Sequence, residues 1–316
     1  MGLKYKVLLY APMHRQGTEL LKKKCDLIYA ASTLEKDLVD QARDVDAIIF
    51  RGSGEVTKAI IESAVKLKVI GKHGVGLNAI DLDAARKCGV KVVNTPAANF
   101  QSVAEHFVAL AIMLAKKIKL MQRALEAGNW SGGRKLIGTE LCGKNLGVLG
   151  FGRIGQQTAR ICNNGFGMNV FYHDKAAYPK TEKELGAKRL DPATLFSVSD
   201  FISINLPLFP ETRHMVNADL IHHMKPTAFL INMARGPIWN EKDVLTALQE
   251  NRIAGAGSDV FEKEPAAADN PLLKMDNFVG TPHSAAHTEE SAAKASMVAN
   301  DVLAVLEGRE PEFPVV

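Results

Sequence analysis

No two cysteines of this chain sit at the spacing of a redox dithiol or a zinc ligand set, because Cys25, Cys88, Cys142 and Cys162 are far apart. That argues against a metal and for reduced thiols packed in the core of a cytosolic protein. Long apolar runs are missing too. The N-terminal stretch MGLKYKVLLYAP is too short for a signal peptide or a membrane span and reads as a first strand, so the protein is expected to be cytoplasmic. Concentrated charge is also lacking: the formal net charge is +4, the basic residues are dispersed, and Lys22-Lys23-Lys24 is most simply a solvated helix face. Nothing in this pattern asks for a nucleic acid or a membrane partner. Repeats of solenoid period and low-complexity segments are absent.

What remains is the composition of a globular protein, 47% apolar and 23% charged, and 316 residues at roughly 150 per domain imply two domains. The stretch NLGVLGFGRIG, Asn145 to Gly155, organises the second. An apolar run from Leu146 to Leu149 ends at Gly150, Gly152 and Gly155 follow in G-x-G-x-x-G spacing, and Arg153 to Cys162 reads as a helix. Gly150 permits a tight turn, Gly152 lets the backbone approach a pyrophosphate, and Gly155 lets the helix pack on the strand. The phosphate charge would rest on free N–H groups at the helix start. Alone the motif is weak, since an ordinary glycine-rich turn reproduces it. Here a second apolar run, Met168 to Tyr172, leads to Asp174, nineteen residues beyond Gly155. A carboxylate there can take both ribose hydroxyls and would repel a 2′-phosphate, which points to NAD rather than NADP.

The first hundred residues alternate between strand candidates, Tyr5 to Ala11, Leu27 to Ala30, Ala47 to Phe50, Leu67 to Ile70 and Val90 to Val93, and helical stretches. Ser32, Thr33 and Thr57 are candidate caps, and a helix from Leu82 to Cys88 stops at Gly89. Such alternation predicts a parallel sheet covered on both faces. One long helix is expected from Ser102 to about Ala127, an inter-domain spine that would also suit packing against a second subunit. From Gly143 a second series predicts six strands, near 146–149, 168–172, 201–205, 227–232, 253–257 and 277–280, and then one helix from Glu289 to Leu306 returning to the first domain. The expected fold class is α/β, two doubly wound parallel-sheet domains, with residues 1–98 plus 285–316 forming one and 99–284 the other.

In open parallel sheets ligands bind beyond the carboxyl ends of the strands. Ala228 to Asn232 runs into Met233-Ala234-Arg235-Gly236, Gly255 to Ser258 into Asp259, and Phe278 to Pro282 into His283, while Glu264 lies in the loop after Asp259. An arginine can hold a carboxylate through a bidentate fork and polarise the neighbouring carbonyl. A histidine can protonate that oxygen as hydride reaches the carbon, and a glutamate beside it would favour the imidazolium and fix its tautomer. Singly, each has a plainer reading: a capping arginine, a packing histidine, a loop acid before proline. Together on the cofactor edge they suit hydride exchange with a 2-oxo acid.

A family resemblance is carried by the ordered blocks HGVGLNAIDLDAA at 73–85, NTPAANFQSVAEH at 94–106, LCGKNLGVLGFGRIG at 141–155, NLPLFPETRHMVN at 205–217, NMARGPIWNE at 232–241, SDVFEKEP at 258–265 and TPHSAAHT at 281–288. The chain resembles the D-isomer-specific 2-hydroxyacid dehydrogenases, which include D-3-phosphoglycerate dehydrogenase and hydroxypyruvate or glyoxylate reductases. The resemblance implies a flavodoxin-like substrate domain that closes over the substrate, a Rossmann NAD domain, and a homodimer through the 102–127 helix region. It implies Arg235, Glu264 and His283 as the catalytic trio, with Arg235 on the substrate carboxylate and His283 as acid and base. Gly150, Gly152, Arg153, Ile154 and Gly155 fall at the pyrophosphate and Asp174 at the adenosine ribose. Pro207, Thr212 and Ala234 match further cofactor contacts, and Asp259 falls at the nicotinamide amide. On the substrate side, N–H groups around Val75 and Gly76 would receive the carboxylate in a nest-like turn. Arg51 matches the arginine offered to a phosphate, favouring an anionic or polar tail such as that of 3-phosphoglycerate. Pro207 and Thr212 also read as turn chemistry, Arg51 as a strand-end surface residue and His73 as packing.

Departures from the pattern concern packing. Pro237 and Trp239-Asn240 replace the small residue and Val-Asp that usually follow the Arg-Gly pair, and Ala285 stands where glycine is common, so Trp239 is expected to alter local packing or pocket shape. The chain ends at Val316, before the serine-binding regulatory domain that some phosphoglycerate dehydrogenases append, and serine control is not expected. Corepressors related to the family keep the same fold and trio. A non-catalytic NAD-sensing protein is therefore the alternative to an NAD-dependent oxidoreductase acting on a D-2-hydroxy acid.

Overall fold

The computed structural model describes residues 5–52 and 54–316, and two separate parallel sheets form in it. The chain divides into one compact unit of Met1–Asn99 with His287–Val316 and a second of Phe100–Ala286.

The first unit holds β1 (Tyr5–Leu9), β2 (Cys25–Tyr29), β3 (Ala47–Phe50), β4 (Val69–Lys72) and β5 (Lys91–Val93), paired in the order β2-β1-β3-β4-β5. This is the flavodoxin-like order. Successive strand side chains point to opposite faces, so the apolar runs split by parity. Leu8, Ile48, Phe50, Ile70 and Val92 enter one core, and Val7, Leu9, Ala47, Ile49, Val69 and Val93 the other. The second of these cores is closed by the helix Val298–Leu306, through Val298, Ala299, Val302, Leu303 and Leu306. Each such buried valine or leucine side chain contributes about 1.5–3 kcal/mol. The segment after Glu289 is not one helix but two, Glu289–Ser296 and Val298–Leu306. At the break Ser296 turns its hydroxyl back onto the Ala293 carbonyl (2.7 Å) and accepts the Gly17 N–H (3.3 Å), a bond that competes with the helical ladder.

The second unit holds β6 (Asn145–Leu149), β7 (Asn169–His173), β8 (Lys188–Arg189), β9 (Phe201–Ile204), β10 (Phe229–Asn232), β11 (Gly255–Ser258) and β12 (Phe278–Gly280). They pair as β12-β11-β10-β9-β6-β7-β8, a Rossmann order with one further strand, and its switch point lies between β6 and β9. The sheet has seven strands rather than the expected six, because β8 is two residues long and shows no periodicity in sequence. The expected helix from Ser102 to Ala127 is also divided. Phe100–Ala115 packs Val103, Phe107, Leu110, Ala111 and Leu114 into the sheet's core, whereas Ile118–Glu126 buries no residue. Between them Lys117 takes a left-handed conformation, φ 54°, which ends the first ladder and redirects the chain where the core stops.

Smaller expectations need correction as well. Cys25 and Cys162 are buried, but Cys88 and Cys142 are exposed because they lie in turns outside the sheets. Ser32 and Thr33 cap no helix: the helix Glu35–Ala42 starts after Leu34, with no side-chain bond at its cap, and the Ser32 hydroxyl accepts the Leu34 N–H. Thr57 occupies the cap position of Lys58–Ser63, yet its hydroxyl donates to Glu35. Among the described residues no helix is long and apolar enough to cross a membrane, and no group of three histidine, cysteine or acidic side chains is arranged to hold a metal.

Candidate active site

At the switch point the glycines divide their work. A β-carbon on Gly150 would lie 2.8 Å from the Asn205 and Leu206 backbone, and one on Gly155 would lie 2.2 Å from the Gly150 carbonyl, so both positions are closed to side chains. A β-carbon on Gly152 would meet nothing within 4 Å. That open cradle lies at the start of the helix Arg153–Phe166, which has no side-chain cap and leaves the N–H groups of Arg153, Ile154 and Gly155 without intrahelical acceptors. Its chemistry fits a pyrophosphate. Asp174, just past β7, accepts the Phe151 N–H (2.7 Å) on one oxygen and the Ala176 N–H (3.0 Å) on the other. One lone pair per oxygen remains for two ribose hydroxyls. From β8, Arg189 donates to the Asp174 carbonyl (3.1 and 2.7 Å) and the Lys175 carbonyl (2.9 Å), holding the turn that carries the acid.

Three loops beyond β10, β11 and β12 bring the remaining polar groups together. The fully buried Asn232 accepts the Ala234 N–H (3.0 Å) and donates to the Arg235 carbonyl (3.0 Å), so its side chain shapes the turn that presents the guanidinium. Arg235 donates to the Ala234 carbonyl (2.7 Å). Burial presses the Arg235 pKa downward, and the negative charge of Glu264 opposes this. Gly236 lets the turn approach the Glu264 loop, since a β-carbon there would stand 1.9 Å from the Phe261 backbone. Glu264 accepts the Phe261 N–H (3.0 Å) on one oxygen and pairs with His283 Nδ1 (2.8 Å) on the other. Burial works against ionisation of this carboxyl, but the His283 and Phe261 hydrogen bonds, with the charges of His283 and Arg235, outweigh it and hold its pKa below the ordinary value. With a carboxylate as acceptor, Nδ1 carries the proton, and Nε2 of the half-exposed ring is left for a ligand.

Asp259 is almost fully enclosed, at 3% exposure, and is spent largely on the turn that follows β12. One carboxylate oxygen accepts the Thr281 hydroxyl (2.6 Å) and the Ser284 N–H (2.8 Å), the other the Ala285 N–H (2.9 Å), and its backbone carbonyl accepts the His283 N–H (2.7 Å). Thr212 is also engaged locally: its hydroxyl donates to the Pro207 carbonyl (2.7 Å) and accepts the Phe209 N–H (2.8 Å), closing the loop after β9.

In the first unit, Gly74 (φ 117°) forms a turn pinned by Thr95, whose hydroxyl accepts the Gly74 N–H (3.0 Å), and by Asn94, which donates to the Val75 carbonyl (3.1 Å). The N–H groups of Val75 and Gly76 meet no acceptor among the described residues. Arg51, at the end of β3, donates to the Pro12 carbonyl. The buried His73 is kept neutral, its pKa lowered to about 4 by desolvation and by the Arg51 cation, and its Nε2 has no partner among the described residues.

Residues 108–285 match the family described as D-isomer specific 2-hydroxyacid dehydrogenase, NAD binding domain. The chain belongs to this family. Among its relatives, a D-3-phosphoglycerate dehydrogenase of Methanocaldococcus jannaschii is 38% identical over 97% of this chain and 58% of its own length, so the chain spans less than two thirds of that protein. A hydroxypyruvate reductase of Thermotoga maritima is 38% identical over 93% of this chain and 95% of its own. A crystal structure of a D-isomer specific 2-hydroxyacid dehydrogenase from Lactobacillus delbrueckii ssp. bulgaricus, in NAD-complexed form, superposes with a TM-score of 0.82 at 28% identity, covering 98% of this chain and 100% of that one.

Where this chain departs from the family pattern, the packing gives reasons. Trp239 is wholly buried among Leu149, Ile204, Ile238 and their neighbours, so its bulk fills the core beneath the Arg235 turn rather than lining a pocket. Asn240 caps the helix Glu241–Gln249 by accepting the Lys242 (3.0 Å) and Asp243 (3.3 Å) N–H groups. Sequence reasoning gave no role to Asn232, Arg189, Thr281 or His106. Asn232 had a visible signal, a polar residue closing an apolar run. The others had none.

Proposed function

We propose that this protein is an NAD-dependent oxidoreductase that transfers hydride between the nicotinamide and the C2 position of a D-2-hydroxy or 2-oxo acid. The observation that carries this reading is the 2.8 Å pairing of His283 Nδ1 with Glu264, on the loops that also present Arg235. Bound NAD supplies or accepts the hydride. Gly150, Gly152, Gly155 and the N–H groups of Arg153 and Ile154 would hold its pyrophosphate, and Asp174 its adenosine ribose. Pro207, Thr212 and Ala234 would line it, and the spare lone pair of Asp259 would take the carboxamide. Arg235 grips the substrate carboxylate and polarises the adjacent carbonyl. His283 donates its Nε2 proton to the C2 oxygen on reduction and takes it back on oxidation, while Glu264 compensates the imidazolium. In the first unit the free N–H groups of Val75 and Gly76 are assigned to the substrate carboxylate. Arg51 is assigned to an anionic or polar tail, as in 3-phosphoglycerate or hydroxypyruvate; glyoxylate has no such tail.

A cytoplasmic homodimer is part of the proposal. It is supported by exposed apolar side chains at Ile118, Leu125, Trp130 and Ile137, within and just beyond the expected 102–127 contact region. The test is NADH oxidation by the purified protein with hydroxypyruvate, glyoxylate and phosphohydroxypyruvate. Turnover of at least one is expected, and the ratio among them reports on Arg51. No turnover of any 2-oxo acid, with NADH still bound, would overturn the enzymatic reading in favour of a sensor.

A further inference from the structure

The helix Phe100–Ala115 reaches the turn after β12 through one side chain that the proposed chemistry does not use. His106 Nε2 lies 2.9 Å from the Thr281 hydroxyl, which lies 2.6 Å from an Asp259 carboxylate oxygen. A carboxylate only accepts, so Thr281 spends its single proton on Asp259 and His106 must be the donor to Thr281. The same His106 nitrogen is 3.8 Å from that Asp259 oxygen. Asp259 in turn fixes the turn at three main-chain points: its carboxylate accepts from Ser284 and Ala285, and its carbonyl accepts the His283 N–H at 2.7 Å. His283 needs such restraint, because at φ 51° it occupies the left-handed region that non-glycine residues avoid.

We propose that His106 is a positioning residue for His283, acting through Thr281 and Asp259. The claim rests on the reading of His283 as the proton donor given above. An enclosed carboxylate with every hydrogen bond aimed at one turn holds that turn only while its orientation is fixed. The three hydrogen bonds to its carboxylate, from the Thr281 hydroxyl and the Ser284 and Ala285 N–H groups, all come from the turn after β12; His106 approaches the same carboxylate from a helix packed against the sheet. Without that N–H the Thr281 hydroxyl is free to rotate away, Asp259 loses its outer anchor, and the imidazole drifts from the C2 oxygen. A misplacement of this kind falls on the chemical step more than on ground-state binding.

The test uses His106→Phe, which fills the space without a donor, and His106→Gln, whose amide restores an N–H at similar reach. Steady-state reduction of the best 2-oxo acid is followed, together with NADH affinity by fluorescence and melting temperature. His106→Phe is expected to lower kcat by about 10- to 100-fold, with KM for the 2-oxo acid nearly unchanged and NADH affinity weakened far less than kcat, through Asp259, and His106→Gln to recover most of the loss. A double-mutant cycle with Thr281→Val guards against a fold defect: if the relay exists, the two losses are strongly non-additive. Full activity of His106→Phe, a glutamine variant no better than phenylalanine, or additive losses would overturn the proposal. His283→Ala is the separate control, for if it stays active the proton-donor reading itself fails, whatever His106 does.

Discussion

At the scale of single residues, the left-handed backbone of His283 costs roughly 1–3 kcal/mol and is sustained by its N–H, shared between the Asp259 and Thr281 carbonyls, and by its Nδ1 on Glu264. The ring is thus held from behind with its free nitrogen outward. Replacing His283 by alanine should cost ~10²–10⁴ in turnover, and a loss below about tenfold in steady-state assays would remove it from the proton-donor role. Glu264 gives a prediction in pH. Its carboxyl is held below the ordinary glutamate value, so the stability and charge it contributes are complete above that value and are lost as pH falls through the lower folded one. At neutral pH it is ionised, a negative charge 2.8 Å from His283 Nδ1. Glu264→Gln should therefore move the alkaline fall of 2-oxo acid reduction to lower pH, readable in kcat/KM profiles, and an unmoved profile would deny the coupling. Arg235, Glu264 and His283 were legible in the sequence because each follows directly on an apolar run or its loop. His106 was not, since 175 positions separate it from Thr281 and only the packed helix joins them.

Among the elements, β8 shows how a segment invisible to periodicity still shapes the turn that carries the Asp174 carboxylate. Its Arg189 makes no contact with the Asp174 carboxylate, yet it bonds the carbonyls of Asp174 and Lys175 and so fixes where that carboxylate stands. Asp174→Ala is expected to narrow the preference for NAD over NADP, measured as the ratio of kcat/KM, and an unchanged ratio would unseat the assignment. Arg189→Ala should raise KM for NAD several-fold while leaving KM for the 2-oxo acid and kcat in place, because only the ribose turn loosens. The glycine-rich turn, by contrast, was plain in the sequence. Its demands are steric and local, and the closed positions at Gly150 and Gly155 with the open one at Gly152 are what that spacing encodes. The division of the helix at Lys117 was not visible, for lysine carries no left-handed preference and the apolar pattern fades gradually across it.

For the molecule as a whole, each unit carries its own sheet and cores, so thermal unfolding need not be a single transition. A ligand that binds one native unit raises the stability of that unit by about 2.7 kcal/mol at a hundredfold excess over its Kd. Calorimetry with NADH is expected to shift the transition belonging to residues 100–286 more than the other, and an equal shift of both would argue against independent units. The two-unit plan was readable from alternating strands and helices, because parallel sheets buried on both faces impose that rhythm on a chain. The order in which the units are completed follows from one placement described above. The helix Val298–Leu306 that seals the first sheet lies after the entire second unit. On the ribosome, then, the later-made unit can finish folding while the earlier one still waits with an apolar face only partly covered, a reversal of the usual N-terminal-first sequence and a stretch of synthesis in which a chaperone has something to hold.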